Sequence, residues 1–201
     1  HGKEMTLIIP SEAQEKAKEF MDSLPLNGPI FTISPVSRRV YKRWPEERFS
    51  LLADSLVERY GAQVVFLWGP GEEAVVKRIL GNMKEKAIIA PRTTLMEMAG
   101  IISMSDLHIG NDNGPKHIAV AVGTPTVTIY GPTEPASWTP PQDTRHIAVK
   151  KDAECVRCVP TRCRDLKCLE IVGVDDVLKG VEACCRKVHY GRKGKAVHQV
   201  M

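Results

Sequence analysis

The chain has 201 residues, 43% hydrophobic and 26% charged, which is enough apolar material for one substantial core and too ordinary a balance for wholesale disorder. A formal net charge of +4 suits a protein with anionic ligands and falls short of what a dedicated DNA binder carries. No stretch reaches the ~20 apolar residues of a membrane span, and the opening His1-Gly2-Lys3-Glu4 lacks the apolar region of a secretory signal.

In chain order, Ser11 and Gln14 predict a capping box that opens a helix with Ala13, Ala17, Phe20, Met21 and Leu24 on one face. Ile30 to Ser34 reads as a short buried strand. Pro45 fits a first helical position, Phe49, Leu52, Ala53, Leu56, Val57 and Tyr60 recur at helical spacing, and Gly61 caps the end. A strand over Val64 to Trp68 and the turn Gly69-Pro70-Gly71 lead to a helix from Glu72 to Leu80, stopped by Gly81. Ala87 to Ala90 is a third strand, and Thr94 with Glu97 forms a second capping box that opens a helix with Leu95, Met98, Ala99 and Ile102 on its inner face. Asp106 to Ile109 is a fourth strand, followed by Gly110-Asn111-Asp112-Asn113-Gly114 and a helix opened by Pro115 and ended by Gly123. Thr126 to Tyr130 is a fifth strand, then comes an irregular Pro- and Cys-rich stretch and a helix from about Asp175 to Lys187. Strands separated by helices need crossover connections, so the expected fold class is α/β, a Rossmann-like parallel sheet with helices on both faces.

Ligands of such sheets bind beyond the carboxyl ends of the strands. There the loop after the first strand carries Ser34, Ser37, Arg38, Arg39, Lys42 and Arg43, a positive, hydroxyl-bearing loop suited to phosphate or simply a solvated one. The loop after the fourth strand is more informative: Gly110 and Gly114 permit close approach of a ligand, and the following helix N-terminus favours an anion. Asp112 sits awkwardly beside phosphate and better on sugar hydroxyls, while His117 is placed to donate to a phosphate or to remain structural. Glu72 can accept from ribose hydroxyls or complement its own helix N-terminus. Gly131-Pro132-Thr133 adds a fourth loop at the same edge. Dinucleotide, P-loop and nucleophile-elbow fingerprints are missing, so hydride transfer, P-loop phosphoryl transfer and α/β-hydrolase chemistry lack support.

Three motifs in order carry a resemblance. Lys42-Arg43-Trp44-Pro45, Gly110-Asn111-Asp112-Asn113-Gly114-Pro115-Lys116-His117-Ile118-Ala119, and Gly123-Thr124-Pro125 leading to Tyr130-Gly131-Pro132-Thr133 are similar to the C-terminal domain of glycosyltransferase family 9, the ADP-heptose:lipopolysaccharide heptosyltransferases. The likeness runs from about residue 30 to residue 185, with Asn113-Gly114-Pro115-Lys116 departing from the commoner Thr-Gly-x-Ser. It implies half of a GT-B architecture, two Rossmann-like domains facing across a cleft, with the C-terminal one holding the sugar nucleotide. It also implies that Ser37 and Lys42 meet the diphosphate, Glu72 the ribose, and Thr93 the adenine. Asp112, Asn113, Gly114 and His117 would meet the diphosphate and heptose, with Lys42, Asp112 and His117 as the catalytic set. The implied partners are an ADP-sugar donor and a lipid A-linked lipopolysaccharide core acceptor, with no cofactor, no metal and no nucleic acid.

The resulting division is 1–29 as interdomain linker and helix, 30–187 as the nucleotide-sugar domain, and 188–201 as a basic tail. The N-terminal acceptor domain is expected to lie outside this sequence, leaving a chain that binds donor and transfers nothing unaided. The expected location is cytoplasmic, with peripheral association at the inner membrane, where the tail is either a solvated end or a weak tether. Cys155, Cys158, Cys163 and Cys168 leave zinc, disulfides or free thiols open. Two other readings stand beside the transferase: a UDP-sugar epimerase of similar build, and an RNA-binding module, which the 5% aromatic content disfavours.

Overall fold

A computed structural model of the chain describes residues 6–187, apart from 26, 138, 140, 141, 156–158 and 164. Its frame is a six-stranded parallel sheet in the order β3-β2-β1-β4-β5-β6. The strands are β1 (Ile30–Ser34), β2 (Gln63–Phe66), β3 (Ile88–Ile89), β4 (Leu107–Asn111), β5 (Thr126–Ile129) and β6 (His146–Val149). The helices are α1 (Ser11–Asp22), α2 (Glu46–Tyr60), α3 (Glu73–Gly81), α4 (Leu95–Ser103), α5 (Gly114–Ala121), α6 (Lys167–Glu170) and α7 (Val174–Lys187). All five strand pairings run parallel, so the α/β expectation holds.

The central strands are apolar on both faces because both faces are covered. On one, Phe31, Ile33, Ile109 and Val127 pack with Phe49, Leu52 and Leu56 of α2, Val76 and Ile79 of α3, and Val177 and Val181 of α7. On the other, Ile30 and Val65 pack with Ala17 and Met21 of α1, Met98 and Ile102 of α4, and Ile118 and Ala119 of α5. Helix α1 lies almost backbone to backbone on α4, since a Cβ at Gly100 would stand 2.6 Å from that of Ala17.

Local chemistry explains most boundaries. Gly61 ends α2 in the left-handed conformation at φ 58°, and Thr94 with Glu97 forms the complete capping box that opens α4. Pro45 is the N-cap of α2 rather than its first residue, with extended ψ of 136°. The Ser11–Gln14 box does not form, because Pro10 holds the N-cap and the Gln14 amide donates to Ile9 O at 3.0 Å. Strand β6 lies inside the stretch read as irregular. Only four residues long and half-exposed in its middle, it shows no period that sequence can register.

Candidate functional site

In this strand order the chain leaves β1 to one side and enters β4 on the other, which opens a crevice beyond their carboxyl ends. A cleft of about 830 Å³ occupies that place. All eight residues singled out from sequence line it: Ser37, Lys42, Glu72, Thr93, Asp112, Asn113, Gly114 and His117. The fourth loop does not. Gly131 is closed off by Leu169 and by Tyr41 O, which would meet a Cβ there at 3.0 and 3.1 Å. Arg43 also turns away, its Nε donating to Ser37 O at 2.6 Å and fixing the basic loop.

The charged centre of the cleft is built by two loops 70 residues apart in sequence. Lys42, on a 3₁₀ turn after β1, donates from Nζ to Asp112 Oδ2 at 2.5 Å. Asp112 is 3% exposed. Its other oxygen has Lys116 Nζ at 3.7 Å and His117 Nε2 at 3.8 Å, both beyond hydrogen-bond length. Two lysines and one carboxylate leave one net positive charge at the mouth of α5, whose N-terminal amides add to it. Burial lowers the His117 imidazole first, and Lys116 lowers it further, against the pull of Asp112. His117 therefore faces the cleft as a neutral ring near pH 7.

Other predicted residues serve as braces. Asn113 caps α5, accepting from Lys116 N at 3.2 Å, while its amide donates to Val36 O at 2.8 Å and Ser34 Oγ at 3.2 Å. That side chain ties the β1 and β4 loops together, leaving the Gly114 backbone beside the cleft. Glu72 bends back so that Oε2 accepts from Gly69 N at 2.8 Å, closing the Gly69-Pro70-Gly71 turn. Ser37 Oγ accepts from Arg39 N at 3.3 Å within its own loop.

Sequence reasoning missed three features. Asn111 is fully buried and takes Trp44 N at 3.0 Å while donating to Pro35 O at 2.6 Å, anchoring the Lys42 loop to β4. Trp68, Leu95 and Met98 make one end of the cleft apolar; Leu95, expected on the inner face of its helix, is instead 60% exposed, because the first residue of α4 projects over the cleft rather than onto the sheet. Lys116, seen in sequence only as a departure from a motif, is 1% exposed beneath Asp112. Beneath the floor His108 joins Thr32 Oγ1 at 3.1 Å and Ser34 Oγ at 3.0 Å, and burial lowers its ring to about 3.

Of the cysteine quartet, Cys155 and Cys163 are exposed and Cys168 is half-buried, while Cys158 lies outside the described residues, as does the 188–201 tail. Among the described residues no three His, Cys, Asp or Glu side chains converge to hold a metal ion.

A doubly wound sheet with a cationic, partly apolar cleft at its switch point defines a Rossmann-like α/β domain with a ligand-sized cleft. The chain belongs to glycosyltransferase family 9 (heptosyltransferase), whose family pattern matches residues 3–169. It is 31% identical over 184 residues to lipopolysaccharide heptosyltransferase 3 of Escherichia coli strain K12, covering 88% of this chain and 52% of that protein. The crystal structure of the family 9 glycosyl transferase from Veillonella parvula superposes with a TM-score of 0.80 at 26% identity, over 94% of this chain and 55% of that one. E. coli heptosyltransferase WaaC with ADP shares the fold at a TM-score of 0.62 and 24% identity, over 83% and 48% of the two chains. The chain thus spans about half the length of the relatives it matches.

Proposed function

We propose that this chain is the donor-binding half of a heptosyltransferase, taking an ADP-sugar in the switch-point cleft. The observation that carries the reading is the net positive Lys42–Asp112–Lys116 cluster at the N-terminus of α5, beside the apolar wall of Trp68, Leu95 and Met98. A nucleoside diphosphate has the matching polarity: a flat base for the apolar end and a dianionic diphosphate for the cationic one. In this reading Lys42 and the Gly114 amide meet the diphosphate, Glu72 the ribose, and Thr93 the base. Asp112 and His117 stand next to the sugar.

In the reaction an acceptor hydroxyl oxygen bonds to the anomeric carbon, the bond from that carbon to the diphosphate breaks, and ADP leaves with the electron pair. Lys42 opposes the growing charge on the leaving group, which is where electrostatic stabilisation counts most. We assign the acceptor proton to a base on the other half of the enzyme, where the family resemblance puts the acceptor; Asp112 is buried and already paired with Lys42. The proposed acceptor is a lipopolysaccharide core, in keeping with the named activity of the E. coli relative. We place the working enzyme on the cytoplasmic face of the inner membrane as a peripheral protein. Among the described residues, no helix is long and apolar enough to cross a membrane.

Membership of family 9 favours transfer over epimerisation of a UDP-sugar. Calorimetric titration with ADP, UDP and GDP tests both points. ADP should bind most tightly, and its binding should weaken when Lys42 is replaced. A preference for UDP, or no ADP binding at millimolar concentration, would overturn the reading.

A further inference from the structure

Lys116 is a buried cation that the donor reading leaves without a task. It occupies the first turn of α5, 1% exposed, where the helix dipole opposes a positive charge. Burial lowers its ammonium to about 8, and Lys42 pushes the same way against the pull of Asp112. A lysine held in so unfavourable a place needs a compensating interaction. The ring of Tyr130 lies 5.6 Å from its Nζ, and Asp112 Oδ1 lies 3.7 Å away. That oxygen is buried and, among the described residues, accepts no hydrogen bond, while Oδ2 is taken by Lys42 at 2.5 Å.

The two lysines occupy different positions. The side chain of Lys42 is 20% exposed and lines the cleft, whereas Lys116 is sealed behind Asp112 and does not. A diphosphate entering the cleft meets Lys42 first, and one ammonium cannot fully serve both a phosphate and the Asp112 carboxylate. If Lys42 turned to the ligand with nothing behind Asp112, a buried carboxylate would be left unpaired, which is strongly unfavourable.

We propose that Lys116 is a positioning residue that takes over the charge of Asp112 when Lys42 turns to the diphosphate of the bound nucleotide. Before binding, Asp112 is shared, with Lys42 in contact and Lys116 just beyond hydrogen-bond length. After binding, Lys116 closes the short gap to Oδ1 and Lys42 holds the ligand. No proton moves, and the trio keeps one net positive charge throughout. The inference rests on the nucleotide reading above.

The groups facing Lys116 come from four elements: Asp112 and His117 around the start of α5, Lys42 from the β1 loop, Tyr130 after β5, and His146 on β6. Burial lowers both histidines from 6.5, and the charge of Lys116 lowers them further. Tyr130 is pushed up to about 12. Of Lys116, His117, His146 and Tyr130, Lys116 is thus the one expected to lose its proton between pH 7 and 9.5. Its charged form supports binding, so the support is present below about 8 and is lost as pH rises through that value.

The test is calorimetric titration of ADP across pH 7–9.5 with wild type, Lys116→Met, Asp112→Asn and the double variant, alongside thermal melts. Wild type should lose affinity as pH rises through 8. Lys116→Met, of similar length and without charge, should bind ADP ~10-fold more weakly at pH 7 and show no such loss. It should melt no lower than wild type, because it removes a desolvated charge. In the Asp112→Asn background the same substitution should change affinity less than ~2-fold, since no carboxylate remains to be compensated. Should Lys116→Met fold poorly, Lys116→Gln takes its place, and Lys116→Arg should restore affinity in part. Equal ADP affinity in wild type and both neutral variants would overturn the proposal. So would an equal loss with and without Asp112, which would make Lys116 a direct ligand or a structural residue. Failure of the wild type to bind ADP at all is a different result, and it overturns the nucleotide reading together with this one.

Discussion

Gly110 and Gly114 stand four residues apart on the same motif, and the structure predicts opposite consequences for the same substitution. Gly110 is paired with Ser34 in the β1–β4 register. A Cβ on it would lie 2.4 Å from Ser34 Oγ and 2.6 Å from Ser34 O. Rotating the Ser34 side chain relieves only the first contact, because the second is backbone of a central strand. Moving Ser34 also disturbs its hydrogen bond with His108 Nε2 at 3.0 Å and the one it accepts from Asn113 Nδ2 at 3.2 Å. Overpacking costs ~1–3 kcal/mol and each weakened hydrogen bond ~1 kcal/mol, so Gly110→Ala should cost ~3–5 kcal/mol. In a domain of this size each kcal/mol moves Tm by ~2–4 °C, which gives a fall of ~6–20 °C in a thermal scan. At Gly114 a Cβ would meet nothing within 4 Å, and the position needs no unusual φ. Gly114→Ala should therefore change stability by less than ~0.5 kcal/mol. The added methyl enters the cleft where the diphosphate is proposed to sit, and ADP affinity should fall ~10-fold or more. A Gly110→Ala protein melting within ~2 °C of wild type would refute the close-approach argument. A Gly114→Ala protein binding ADP as tightly as wild type would remove this loop from the phosphate site.

Lys42→Ala removes a charge-assisted hydrogen bond worth ~1.5–3 kcal/mol, so ADP affinity should fall ~10–100-fold, and an unchanged Kd by calorimetry would take Lys42 out of the site. His108 gives a pH dependence. Its folded value of about 3 lies below the ordinary 6.5, so the unfolded chain binds the proton more readily. Its contribution to stability is whole above 6.5 and is lost as pH falls toward 3, at up to ~1.4 kcal/mol per pH unit. Tm should drop between pH 6.5 and 4 more steeply for wild type than for His108→Gln, and parallel profiles would contradict the argument. A protein of these 201 residues, assayed by itself with ADP-heptose and a lipopolysaccharide core acceptor, should bind nucleotide without measurable transfer, because orienting both reactants in one cleft supplies up to ~7–11 kcal/mol. Robust turnover would refute the proposed division of roles.

Features that depend on near neighbours were legible in the chain alone. Helical spacing of Phe49, Leu52 and Leu56, the capping pair Thr94 and Glu97, and Gly61 at a helix end each report local backbone geometry. The same holds for the loops at the sheet edge, since alternating strands and helices place successive loops on one side, and eight chosen residues share one cleft. Local rules failed where two of them competed. Ser11 offered a cap that Pro10 already occupied, and β6 was too short and too exposed for a period to emerge. Which side chains meet across long separations was settled only by tertiary packing. Strand order sets β1 beside β4, and this brings Lys42 to Asp112 and Trp44 to Asn111. It gave Asn113 and Glu72 bracing hydrogen bonds that no local pattern announces, and it closed the Gly131 loop under Leu169. It also buried Lys116 behind a carboxylate that sequence had assigned to sugar hydroxyls. Periodicity records which face a residue takes, whereas the charge it meets there is fixed by chain segments folded in from far away.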